Sequence, residues 1–272
     1  MASVPFHDDG ERLAADLNGL GLDGVPGMLV HVSMRSVGPV AGGCATLLRA
    51  IRDAAGEQAT LVVPTHTANN STTSRSHLAA TAGLSPEGLR DYLAGLPGFD
   101  PDTTPSYRMG AFAEHVRTHP DALRSAHPQT SFTALGPGAH AWTTVHALDS
   151  HLGEESPIGA LYDAGAHVLM IGTDFTACTA FHLAEYRLAD PPPKREYRCF
   201  VQGPDGRDEL SFFEIHLDDT DFLELGAAFA ADPSVRRGRI GGAEALSFPL
   251  RRAVDFAVTW MSAHRDTGTA GR

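Results

Sequence analysis

The stretch LMIGTDFTACTAFHLAEYR (169–187) bears on fold and function together. Its apolar start closes a strand reading HVLMIG (167–172), a Gly-Thr-Asp loop follows, and the remainder reads as a helix. Strand, short polar loop and helix form the repeating unit of an α/β protein, and such proteins place their sites just beyond the carboxyl ends of strands. His182 lies there, with Cys178 four residues before it and Glu185 three after. Either it is a buried histidine bonded to a backbone carbonyl, or it is the base of an active site.

The flanking chain repeats the pattern. DGERLAADLNGLGL (9–22) has helical periodicity, with Leu13, Leu17 and Leu20 on one face; GMLVHVSM (27–34) and ATLVVPTHT (59–67) read as strands around the helix GGCATLLRAIRDAAG (42–56). Residues 66–108 break the rhythm as an inserted substrate-side segment. It comprises the polar loop HTANNSTTSRSH, a helix at SPEGLRDYLAGL with Ser85 as N-cap, and the turn-rich GFDPDTTPSYRM. Helices are expected over 110–120, 137–146 and 156–165. Residues 191–220 read as a Pro-rich linker and a hairpin turning at GPDG (203–206), and 221–232 and 238–266 read as helical. The first eight residues read as disordered and the tail 267–272 as frayed. The expectation is one α/β domain over 1–272, with a central, mostly parallel or mixed sheet flanked by helices and a C-terminal hairpin-plus-helix region.

Composition narrows the function classes. The 272 residues are 42% hydrophobic and 20% charged, enough for a sizeable core, and the net charge of -12 disfavours nucleic acid and anionic membranes while suiting a cationic ligand. Cys44, Cys178 and Cys199 form no CxxC pair, which argues against a disulfide framework or a zinc ribbon and agrees with a reducing cytosol. MASVPFHDDGERLAADL lacks the regions of a signal peptide, and no apolar run approaches the ~18–20 residues of a membrane span. A cytoplasmic protein without a metal is expected; the oligomeric state is open, a homodimer among the options.

Four segments in register, LVHVSMRSVG (29–38), TLVVPT (60–65), RSAHPQTSFTALGP (124–137) and FHLAEYR (181–187), resemble the aminoglycoside 3-N-acetyltransferase (antibiotic N-acetyltransferase) family. DTTPSYRMG (102–110), GEESPIGALY (153–162) and AVDFAVTWM (253–261) resemble it too, so the likeness covers nearly the whole chain. It implies an α/β fold unrelated to the Gcn5-type acetyltransferases, acetyl-CoA as co-substrate, and an aminoglycoside amine as acceptor. RIGGAE (239–244) approaches the Gcn5-type phosphate loop but ends in Glu244, and it reads as lying past the hairpin with no strand before it.

Acetylating an amine requires a base, stabilisation of the thioester oxygen as it becomes negative, and a leaving thiolate. His182 resembles the histidine of the family's N-T-[TS]-L-H-x-A-E motif, and an imidazole titrating near ~6.5 suits the base. Glu214 is the first choice by resemblance for the carboxylate behind it, followed by Asp218 and Glu185. The motif's Asn is Cys178 here and its second hydroxyl is Ala180, while Thr179 is kept as an oxyanion donor. Cys178 raises a rival, ping-pong mechanism if it meets His182 one helical turn on, although free cysteines usually pack; direct transfer is favoured. By resemblance His31, Ser33, Arg35, Ser36 and Val37 line the coenzyme channel, with Arg35 toward phosphate, and Arg124 and Ser125 join them. His127, before Pro128, is a second candidate for binding or proton handling, with a structural turn weighed equally. Ammonium groups call for carboxylates, and Asp100, Asp102, Glu185 and Asp218 are the candidates. Residues 61–85 contain no acid, and HTANNSTTSRSH offers amides, hydroxyls and Arg75 instead. Two alternatives therefore stand beside the aminoglycoside: another small biosynthetic amine, and a non-catalytic relative that binds coenzyme A or an antibiotic.

Overall fold

A computed structural model describes residues 9–265; the expectations for the first eight residues and the tail lie outside them. Helix α1 (Asp9–Leu17) tightens into a 3-10 turn ending at Leu20, and Leu13, Leu17 and Leu20 are fully buried, as their spacing on one face requires. Strand β1 (Gly27–Val32) passes into a single helical turn, α2 (Met34–Val37), and α3 (Gly43–Ala55) leads back to β2 (Thr60–Pro64). The inserted segment carries α4 (Arg75–Thr81) and α5 (Pro86–Ala94). The polar stretch 66–77 is thus not all loop: Ser74 Oγ accepts a bond from His77 N at 3.1 Å and opens α4. Then come α6 (Ala111–Arg117), β3 (Leu123–Arg124), β4 (Phe132–Leu135), α7 (Ala139–Thr143), α8 (Pro157–Ala164), β5 (His167–Ile171) and α9 (His182–Tyr186). The antiparallel hairpin β6 (Lys194–Gly203) and β7 (Gly206–Ile215) turns at GPDG as expected. After it follow α10 (Phe222–Phe229), β8 (Arg236–Ile240), β9 (Ala243–Pro249) and α11 (Leu250–His264).

Seven strands form one mixed sheet in the order β3-β4-β2-β1-β5-β9-β8. The centre is parallel, with β1 paired to β2 and to β5, while β4 and β9 flank it antiparallel. Successive side chains leave opposite faces of a strand. Met28 and Val30 therefore join one core with α1, α3 and α6, and Leu29 joins a second core with Phe181, Phe229, Phe248 and α11. His31 follows Leu29 onto this second face.

The C-terminal third corrects the sequence reading. Residues 238–249 read as helical, but they belong to the hairpin β8–β9, which turns at Gly241 (φ +57) and Gly242, and β9 pairs with β5 from His167↔Pro249 to Ile171↔Ala245. In RIGGAE a strand does precede the turn, and the motif is a hairpin corner at the sheet edge, not a phosphate loop before a helix.

β1 leads by way of α3 to β2 on one side, while β5 lies on its other side. The chain reverses its direction of travel across the sheet there, which opens a crevice beyond the carboxyl ends of β1, β2 and β5. Among the described residues no helix is long and apolar enough to cross a membrane.

Candidate active site

That crevice holds a cleft of about 720 Å³. His31 to Ser33 and Pro64 form its floor, the loop from Thr173 to Thr179 and His182 one wall, and Leu217, Asp219 and Phe222 another. The inserted segment supplies the rim through His66, Ser74 to Ser76 and Tyr107 to Gly110.

His182 is the first residue of α9, with its ring 4.6 Å from the ring of Phe222. Gly226 lets α10 come this near, because a Cβ there would lie 2.1 Å from Phe175. His182 Nδ1 is 2.6 Å from Glu185 Oε2, one turn further along the same short helix. Glu185 is completely buried, and its Oε1 accepts from Arg265 Nη1 at 2.6 Å and from the backbone N–H of Asp218 at 2.9 Å. Arg265 also grips Asp221 with two N–H groups at 2.7 and 2.6 Å and donates to the Asp218 carbonyl at 2.7 Å. Burial works against the charged guanidinium, but the bonds to Asp221 and Glu185 outweigh it and hold its proton more tightly than usual. A carboxylate on Nδ1 fixes the tautomer, so Nε2, which makes no hydrogen bond among the described residues, can accept a proton.

The carboxylate behind His182 is therefore Glu185 and not Glu214. Glu214 is buried on β7, accepts from the Ile215 N–H with Oε1, and leaves Oε2 unpartnered; burial pushes its carboxyl above the usual range. Asp218 touches the network only through its backbone, and its side chain accepts from Thr220 N at 3.0 Å.

The helix expected from Cys178 begins only at His182. Two 3-10 turns, Phe175–Ala177 and Thr179–Phe181, precede it, and Cys178 sits between them with non-helical ψ of 83°. Cys178 is fully buried in the second core, where burial pushes its thiol up to about 12. It does not share a helical face with His182.

Four polar atoms of cleft-lining residues are buried without a partner among the described residues: His31 Nε2, His66 Nε2, Thr173 Oγ1 and Thr179 Oγ1. Buried polar atoms are nearly always hydrogen-bonded, and a cluster of orphans on one cleft marks groups that a ligand would satisfy.

The other expected residues divide. Ser33 lines the cleft and caps α2, accepting from Ser36 N at 3.3 Å. Ser36 donates to the Gly172 carbonyl at 3.1 Å, Arg35 is exposed, and the Val37 side chain is buried in the first core, not in a channel. Arg124 is engaged elsewhere. Its guanidinium donates to Ser131 Oγ at 3.0 Å and to the carbonyls of Thr65, Pro101 and Thr104, which leaves it unsuited to phosphate. Ser125 is fully buried, bonding His146 Nδ1 at 2.8 Å and accepting from Phe132 N at 2.9 Å. Asp100 closes its own turn by accepting from the N–H groups of Asp102 and Thr103, and neither Asp100 nor Asp102 lines the cleft. His127 is a buried structural residue whose Nδ1 accepts from Gln129 N and Thr130 N, both at 3.1 Å.

His127 belongs to a buried group with His146 and His151, its ring centroid 4.6 Å from each. Burial lowers His146 to about 4 and His151 to about 3, takes His127 well below its ordinary value, and lowers His31 to about 4 and His66 to about 3. In the unfolded chain these imidazoles take up protons near pH ~6.5, so the unfolded state binds more protons as the pH falls below that value. Their contribution to stability is complete above pH ~6.5 and is lost toward pH about 4, at up to about 1.4 kcal/mol per pH unit for each histidine. Glu214 acts oppositely, as one group against five. The melting temperature should hold from pH 8 to 7 and fall steeply from 6.5 to 4.5; a flat profile down to pH 5 would show that these histidines are not held neutral.

Arg265, Asp219 and Arg108 were not anticipated in these places, whereas Arg75 lies on the acceptor side as its loop suggested. Arg75 pairs with Asp219 across the rim, and Asp219 is the one carboxylate among the lining residues. No local signal ties Arg265 to Glu185, 80 residues away.

Comparison with known proteins supplies the context. A family profile described as aminoglycoside 3-N-acetyltransferase matches residues 29–262. The SPbeta prophage-derived aminoglycoside N(3')-acetyltransferase-like protein YokD of Bacillus subtilis is 34% identical, covering 96% of this chain and 94% of that protein. Aminoglycoside N(3)-acetyltransferase VII of Streptomyces paromomycinus is also 34% identical, with coverage of 96% and 94%. The crystal structure of YokD superposes with a TM-score of 0.87 at 31% identity over 96% of both chains. That of AAC-IIIb in a binary complex with CoASH gives 0.81 at 30% identity over 97% and 98%.

Proposed function

The chain belongs to the aminoglycoside 3-N-acetyltransferase family, and on that premise we propose that it is an acetyl-CoA-dependent N-acetyltransferase acting on an aminoglycoside amine by direct transfer. One observation carries the mechanism: His182 lines the cleft with Nδ1 tied to a buried carboxylate, which leaves Nε2 to serve as the base.

Acetyl-CoA supplies an acetyl group activated as a thioester. AAC-IIIb, a structural relative, is known with CoASH bound, and the residues here fit such a ligand: a strand-end crevice of about 720 Å³ with orphaned buried hydroxyls and imidazole nitrogens suits a long chain of amides. The acceptor ammonium first releases one proton to solvent, and His182 Nε2 takes a second from the now neutral nitrogen as that nitrogen bonds the acetyl carbon. Glu185 holds the ring and balances the charge of the imidazolium. Thr179 Oγ1 donates to the acetyl oxygen as it gains negative charge. The carbon–sulfur bond breaks, and the proton held on His182 passes to the departing sulfur.

A thiol pushed up to about 12 is a poor nucleophile at neutral pH, so Cys178 stays outside the chemistry. Cys178→Ala should keep most of the turnover, and intact-protein mass spectrometry after mixing with acetyl-CoA alone should find no acetyl adduct on it. An acetylated Cys178 would replace direct transfer with a covalent route.

The cleft lining favours a second reading of the acceptor. A polycation needs several carboxylates, and the cleft presents only Asp219, itself paired with Arg75. Thiol release from acetyl-CoA, assayed against a panel of aminoglycosides with products weighed, separates the cases. A gain of one acetyl group on an aminoglycoside supports the first reading, and transfer only to other amines supports the second. Coenzyme binding with no transfer to any amine would leave a binding protein.

A further inference from the structure

Arg108 stands on the rim with its side chain exposed, and among the described residues it makes no hydrogen bond and no ion pair; its guanidinium lies only 5.2 Å from the Tyr107 ring. It is also the only non-glycine residue among them with positive φ, at 59°. A left-handed backbone disfavours a bulky side chain, and such strain persists where the surroundings impose it, typically at sites that use it. Here the neighbours fix it. Tyr107 N donates to the His66 carbonyl at 2.7 Å, Tyr107 Oη meets Ser76 Oγ at 2.9 Å, and Phe112 beyond is buried. Glycine would occupy position 108 with less strain, yet the chain carries a guanidinium there. The cleft's other lining arginine, Arg75, is neutralised by Asp219; Arg124, expected in the coenzyme channel, is committed to backbone carbonyls, and Arg35, expected toward phosphate, is exposed and does not line the cleft.

We propose that Arg108 is an anion-receiving residue of the cleft, presented by a strained turn to bind a phosphate group of a ligand lying in it. The inference rests on the transferase reading. The phosphate can come from the coenzyme or from a phosphate-bearing acceptor amine; a planar guanidinium suits either.

The test compares wild type with Arg108→Gly, which relieves the backbone and should melt no lower, and with Arg108→Lys, which keeps the charge. Each is titrated calorimetrically with coenzyme A, with pantetheine (which has no phosphate) and with inorganic pyrophosphate, and each is assayed for transfer to phosphoethanolamine and to ethanolamine. A loss of roughly 10-fold or more in coenzyme A affinity for Arg108→Gly, with pantetheine unchanged and Arg108→Lys intermediate, establishes the coenzyme as the source. Unchanged coenzyme affinity with a similar loss confined to phosphoethanolamine establishes the acceptor. If wild type ignores coenzyme A but binds pyrophosphate through Arg108, the subsite stands and the transferase reading falls. Equal behaviour of wild type and Arg108→Gly toward coenzyme A, pyrophosphate and phosphoethanolamine overturns the proposal.

Discussion

Replacing His182 with alanine should lower kcat by roughly 10²–10⁴-fold, the range a positioned general base contributes. The side chain lies at the cleft wall with Nδ1 already occupied, so its removal deletes the proton acceptor without opening the core. Binding of coenzyme A should change little, while the melting temperature should fall modestly, because the buried Glu185 Oε2 loses its partner, at a cost of about 1–3 kcal/mol. Near-wild-type turnover at neutral pH would remove His182 from the chemistry and turn attention to the neutral imidazoles of His31 and His66 in the same cleft.

The second large effect belongs to Glu185. Glu185→Gln keeps the shape but can present an N–H to His182 Nδ1, and the ring would then carry its proton on Nε2, the wrong nitrogen for a base. In serine proteases the equivalent change on the carboxylate costs about 10⁴ in kcat, and a loss of at least ~10² is expected here. Glu185→Ala should add a structural penalty. Arg265 would keep Asp221 but lose a completely buried carboxylate at 2.6 Å. Breaking a buried pair costs about 3–5 kcal/mol, and the remaining partner should hold the loss toward the lower end. Kinetics on the Gln variant and chemical denaturation of the Ala variant separate the two roles. Full activity in Glu185→Gln would leave Glu185 with a purely structural one.

The parallel centre of the sheet was legible because its strands are short apolar runs ended by polar residues, and His182 because it follows such a run. The hairpin at 236–249 was not. Arg236, Arg237 and Arg239 make β8 look like a solvated segment, and the identity of 236–249 as strands depends on pairing with β5, some 70 residues earlier, a distance no local periodicity reports. The site divides in the same way. Glu185 is visible at i+3 from His182, yet its rank over Glu214 rests on which carboxylate the fold turns inward. Arg124 shows the converse error: a conspicuous arginine in a matching motif serves backbone carbonyls, while Arg108 is marked only by a backbone angle that the sequence does not display.

The link from Arg265 to Glu185 also fixes an order of events in synthesis. His182 and Glu185 emerge from the ribosome about 80 residues before Arg265, and the strand that seals β5, which leads into their loop, arrives in between. Until α11 docks, the carboxylate has no guanidinium beside it. The nascent chain can therefore pair β1, β2 and β5 before the Glu185–Arg265 contact exists, and the proposed site is complete only once α11 has docked. By the same logic, proteolytic trimming back past residue 265 should silence the protein while most of its secondary structure survives.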